Sequence, residues 1–101
     1  MKKIINGKKY DTNTAKILGG AGYSHPGDFS FWTERLYQKK TGEFFLHGIG
    51  GAMSKYARST GLNEWTGGEE IRPLSREEAR EWAEKNLDAE EFEEVFGELE
   101  E

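Results

Sequence analysis

The chain has 101 residues and a net charge of −5 at neutral pH, with 35% hydrophobic and 33% charged residues. That length suits one domain with one modest core, and the absence of cysteine excludes disulfide stapling and thiolate metal sites while suiting a reducing cytosol. No apolar run approaches the roughly 20 residues that span a bilayer, and Asn6-Gly7 ends the apolar start after Ile4 and Ile5, so the expectation is a cytoplasmic protein with no signal peptide and no membrane contact.

In chain order, Lys2 to Ile5 and Lys8 to Tyr10 flank Asn6-Gly7, the strongest two-residue hairpin signal because a type I′ turn needs φ > 0 at both central positions. Asp11 or Thr12 is placed to N-cap a short helix through Thr14 to Leu18, stopped by Gly19-Gly20. Ala21 to Asp28 reads as a loop. Phe29 to Gln38 is rich in aromatic and β-branched residues, Lys39 to Gly42 makes a turn, and Glu43 to His47 returns, which predicts an antiparallel hairpin. In its first strand Phe31, Thr33, Arg35 and Tyr37 share one face, and Trp32, Glu34, Leu36 and Gln38 the other. A Gly-rich stretch encloses Met53 to Arg58, readable as strand or as one helical turn, and a further strand is expected around Glu70 to Pro73.

Two helices close the chain. Ser75-Arg76-Glu77-Glu78 is a capping box, followed by an apolar stripe of Ala79, Trp82, Ala83 and Leu87. Asp88 with Glu91 forms a second box, followed by Phe92, Val95, Phe96 and Leu99, with Gly97 as C-cap. The expected fold is therefore α+β in one domain: a small antiparallel sheet built mainly from the hairpin 29–47, with a short N-terminal hairpin and helix. The C-terminal helices would pack Trp82, Phe92 and Phe96 against the aromatic face of that sheet.

The chemistry of catalysis is thinly represented. His25 and His47 lack companions at metal-ligand spacing. Gly48 to Lys55 departs from a phosphate loop because Ala52, Met53 and Ser54 separate the glycines from the lysine. No Gly-x-Ser-x-Gly nucleophile motif occurs. Solvated carboxylates on a helix lack the burial that tunes a catalytic pKa. The expectation is a protein that is not an enzyme and holds no cofactor or metal.

Two surfaces stand out instead. Residues 1–74 carry 11 Lys and Arg against 7 Asp and Glu, a net +4, whereas residues 75–101 carry 3 against 12, a net −9. Glu77, Glu81 and Glu84 fall on one side of the first helix, and Glu90, Glu94, Glu98 and Glu101 run along the second, flanked by Glu91 and Glu93. Together with Asp88 these acids are the candidate partner-binding residues. Like charges at i, i+4 cost a few tenths of a kcal/mol per pair, and carboxylates about 6 Å apart on a rigid helix mimic the charge array of a nucleic acid that basic grooves recognise. The second surface is the hairpin, where Phe29, Phe31, Trp32, Tyr37, Phe44 and Phe45 are interleaved with Arg35, Lys39 and Lys40. Aromatics and bases so mixed on a sheet suit a module that binds single-stranded nucleic acid, unless the aromatics form the core.

Several segments carry a resemblance. Lys3 to Ala15, Leu36 to Leu46, Met53 to Ala57 and Pro73 to Ala83 are similar to small proteins carried by bacterial phages and other mobile elements, a group that includes anti-CRISPR inhibitors. The resemblance implies a cytoplasmic inhibitor in a bacterial host that binds a CRISPR effector complex. Combined with the charge pattern, it implies that the acidic face occupies the effector's nucleic-acid site without binding nucleic acid itself.

Overall fold

A computed structural model describes residues 1–97. Strands β1 (Lys2–Ile5) and β2 (Lys8–Asp11) form the expected hairpin, with Asn6 at φ 51° and Gly7 at φ 77°, both in the left-handed region that a type I′ turn demands. The short helix expected next is absent. Residues Lys16–Tyr23 form a strand, β3, which also takes up the start of the expected loop. Five residues ahead of a Gly-Gly pair offer too few hydrogen bonds to offset helix nucleation. As a strand, the same residues pair along their length with β4. A bulge between Ile17 and Gly19 breaks the alternation that would have revealed the strand.

The central hairpin is β4 (Trp32–Gln38) and β5 (Phe44–Gly50), in register from Trp32 opposite Gly50 to Gln38 opposite Phe44. It starts three residues later than the aromatic run suggested. Asp28 draws Phe29 to Phe31 into a turn, its Oδ1 accepting from the Ser30 amide at 2.8 Å and its carbonyl from the Phe31 amide at 3.1 Å. Residues 52–56 form turns, neither strand nor helix. Beyond them lies a small exposed hairpin of β6 (Arg58–Gly61) and β7 (Glu64–Thr66), which the sequence pattern did not announce. The strand around Glu70 is present as β8 (Gly68–Leu74). The main sheet is antiparallel throughout, in the order β3-β4-β5-β8.

Helices α1 (Arg76–Asn86) and α2 (Ala89–Phe96) begin with the two capping boxes, Ser75 with Glu78 and Asp88 with Glu91, and α2 ends at Gly97. They cover one face of the sheet. There Leu36, Phe44 and Leu46 are buried against Ala79, Ala83 and Phe92, with Leu18, Trp82, Leu87, Val95 and Phe96 around them. Phe96 stacks on Phe44 at 5.7 Å and lies tilted against Phe92 at 5.1 Å between centroids.

The aromatic residues of β4 and β5 do not all meet the helices, because a strand sends successive side chains to opposite faces. Tyr37 and Phe45 lie on the other face, stacked at 5.2 Å, and the N-terminal hairpin covers them with Tyr10, edge-on to Phe45 at 5.5 Å. The sheet is thus the middle of three layers, with a core on each side. Of the second helix's apolar stripe, Leu99 lies outside the described residues.

Candidate functional site

The acidic candidates divide by what already holds them. Glu77, Glu81, Glu84, Asp88, Glu90, Glu93 and Glu94 are exposed and Glu91 is half-buried; Glu98, like Glu101, lies outside the described residues. Asp88 and Glu91 form the α2 box: Asp88 Oδ1 accepts from the Glu91 amide at 2.8 Å, and Glu91 Oε1 accepts from the Asp88 amide at 3.3 Å. Glu84 pairs with Arg80 Nε at 3.6 Å. Glu77, Glu81, Glu90, Glu93 and Glu94 have no ion-pair partner among the described residues. These free acids recur along the two helices at i, i+3 and i+4 steps.

The basic residues of this segment do little to relieve the charge. Arg76 lies over the Phe96 ring at 5.3 Å, and Arg80 over the Phe92 ring at 5.9 Å. Both guanidiniums are therefore drawn to the seam between the helices. Between the helices lies a cleft of about 310 Å³ floored by Ala83, Leu87 and Phe92 and rimmed by Glu84, Asp88 and Glu93. The arrangement offers apolar surface to an aliphatic stem and carboxylates to a cationic head, as a lysine or arginine side chain requires.

A second polar cluster lies beneath the helices. Glu34 projects from the middle of β4 onto the helix-covered face and is only 4% exposed. It accepts hydrogen bonds from Trp82 Nε1 at 3.0 Å, from Lys55 Nζ at 3.0 Å and from the Tyr56 hydroxyl. Burial pushes the Glu34 carboxyl up, but the Trp82, Tyr56 and Lys55 donors outweigh it and hold the group below the ordinary glutamate value. Burial and the Glu34 carboxylate push the Tyr56 phenol well above its usual range, so it stays a donor. Lys55 also sits 4.0 Å above the Trp32 ring. Position 48 must be glycine here, since an added Cβ would overlap the Tyr56 ring. The cluster ties the Gly-rich turn, the sheet and α1 to one carboxylate. The signal for it was in the sequence: a glutamate on the same strand face as Trp32 and Leu36 is an acid aimed into a core.

The hairpin aromatics do not form a common platform. Tyr37, Phe44 and Phe45 are buried on opposite faces of the sheet, and Trp32 lies under Lys55, which leaves Phe29 exposed and Phe31 half-buried. Lys39 is occupied by the Tyr10 ring at 4.3 Å and by Glu43 at 3.6 Å, while Lys40 is exposed. His47 Nε2 and Glu69 share a 2.8 Å contact, and His25 Nδ1 accepts from the Gly27 amide at 3.2 Å. Among the described residues no three His, Asp or Glu side chains are grouped to hold a metal ion, and no helix is long and apolar enough to cross a membrane. No family model matches the chain, and no curated protein or solved structure gives a significant match to it.

Proposed function

We propose that the protein is a non-enzymatic inhibitor that lays the outer faces of α1 and α2 on a basic, nucleic-acid-binding surface of a partner protein. The observation that carries the reading is the set of five exposed carboxylates, Glu77, Glu81, Glu90, Glu93 and Glu94, held on capped helices with no ion-pair partner among the described residues, while Arg76 and Arg80 lie over the Phe96 and Phe92 rings. A fixed array of negative charge is attracted to a groove evolved for phosphates, and long-range attraction makes its association fast and salt-sensitive. In line with the resemblance to mobile-element proteins, the partner proposed is a CRISPR effector, in a bacterial cytoplasm.

The test is capture of assembled effectors by the tagged protein, with and without their nucleic acid, at two salt concentrations. Competition predicts capture that is lost when target DNA is already bound and weakened by salt. The decisive variant changes Glu90, Glu93 and Glu94 to Lys and leaves Glu91 in place, because Glu91 caps α2. A folded triple variant that inhibits as well as the parent would sink the proposal.

A further inference from the structure

The two edges of the main sheet are treated differently. At one edge, β8 contains Pro73, which has no amide hydrogen to offer an incoming strand. The Glu69 carbonyl of β8 already accepts from Arg58 Nη2 at 2.8 Å. Gly68 lies against the Tyr56 carbonyl, so the turn 52–56 crowds that end. These are common ways of closing a strand edge.

At the other edge, β3 is eight residues long and pairs only with β4. Among the described residues no backbone or side-chain group outside β4 hydrogen-bonds to it. Its middle reads Gly19-Gly20-Ala21-Gly22, with Gly20 and Gly22 exposed. The bulge between Ile17 and Gly19 breaks the edge near its start, but from Gly19 to Tyr23 the register with β4 is regular and the glycines carry no side chain to keep another backbone away. A row of unpaired amides and carbonyls on so open a strand is a template for one more strand.

Charge decides what fits. On the helix side of the sheet, α2 packs beside β3, with Glu94 and Val95 next to Lys16 and Leu18. Residues 89–96 carry four acids and no base. A second copy joined edge to edge through β3 would set one such helix against the other across the two-fold axis, like charge facing like. An extended segment with lysine or arginine at alternate positions would instead place its basic side chains on the helix side, toward the acidic α2 and its Glu94.

We infer that the free edge of β3 is a strand-pairing site that takes an extended basic segment of a partner protein as a fifth strand of the sheet. The inference rests on the reading that the acidic helices meet a basic partner, and it adds backbone pairing as the source of register. Partner side chains would alternate, basic toward α2 and apolar toward the exposed Ile17.

The test uses the whole protein and a short synthetic peptide alternating lysine and valine, with a glutamate–valine peptide as control. Amide hydrogen exchange is read residue by residue at low salt. The lysine peptide should slow every second amide of residues 19–23, beyond the bulge, by about tenfold or more, because only alternate amides of a regular strand face its edge, and leave β8 unchanged. Of Gly20→Pro and Ala21→Pro, the one at the outward-facing amide should fold as the parent does and abolish the slowing. If the lysine peptide perturbs α2 amides in a salt-dependent way but never those of β3, strand pairing is wrong and the acidic-face reading stands. If both peptides slow β3 equally, the edge binds strands but the choice of a basic occupant is wrong, and the acidic-face reading falls with it. Alternate slowing in the protein alone, growing with its concentration, would assign the edge to a second copy and overturn the proposal.

Discussion

The two layers that sandwich the sheet are opposites in charge and alike in how they hold on. The N-terminal hairpin presents Lys2, Lys3, Lys8 and Lys9 to solvent and buries Tyr10; the helical layer presents glutamates and buries Phe92. Each is anchored by an aromatic contact, Tyr10 edge-on to Phe45 and Phe96 stacked on Phe44, and these two phenylalanines are adjacent on one strand. The contrast teaches that charge segregated along the chain becomes charge segregated across the sheet. The acidic face can approach a basic partner because the lysines of the hairpin lie on the far side.

The largest effect expected comes from breaking one anchor and watching the other. Phe45 is fully buried, and Phe45→Ala should cost about 3–5 kcal/mol, a large part of the roughly 5–15 kcal/mol that holds a domain together. Loss on that scale, measured by urea unfolding, should be cooperative, with both layers melting together, since the sheet is common to both cores. Separate transitions for the hairpin and the helices would show that the two cores are independent.

The Glu34 cluster sharpens the comparison, since among the described residues the buried charge lies in the helix-covered core. Its folded carboxyl lies below its ordinary value of 4.5, so the unfolded chain takes up a proton first as pH falls. The stability this supplies is therefore present above about pH 4.5 and disappears as pH falls through the folded value. Glu34→Gln keeps an acceptor for Trp82 but gives up the charge facing Lys55, at a cost of about 2 kcal/mol at neutral pH. The stability gap between parent and variant, measured by denaturant unfolding, should narrow steadily below pH 4.5. A gap that stays constant down to pH 3 would mean that charge is not what Glu34 contributes.

Much of the fold was legible because its signals are local. Asn6-Gly7, the alternation through β4, and the boxes at Ser75 and Asp88 each specify their geometry within a few residues. What was misread depends on distant partners. Lys16 to Leu18 looks helical until β4 is there to pair with it, and Gly19, Gly20 and Gly22 give β3 no side-chain pattern. The division of Phe44 and Phe45 between two cores is a consequence of alternation alone, but expecting a single core hid it. The acids of 77–94 do lie on the two helices, all exposed but the half-buried Glu91, and the spacing of Asp88 and Glu91 already announced the cap they form. Glu34 was placed on the right face, yet its donors come from Lys55, Tyr56 and Trp82, at separations that no local pattern spans.

The smallest effect concerns the two helix caps, which are alike in hydrogen bonding and unlike in the helices they start. Helix α1 has eleven residues with Lys85 in its last turn; α2 has eight and no base there. Glu93 and Glu94 therefore stand near the negative end of a short helix, where the macrodipole opposes them. Removing either cap should cost about 1 kcal/mol. Ser75→Ala should appear as a uniform fall in melting temperature of about 4–8 °C, because α1 is tied to the sheet through Trp82 and Glu34. Asp88→Ala should instead fray α2 locally, with faster amide exchange at Val95 and Phe96 and little change in the sheet. Asp88→Ser, which restores an oxygen acceptor, should slow that exchange again. If Asp88→Ala frays α2 but leaves capture of the partner intact, α2 is not the docking helix and the contact must be sought on α1.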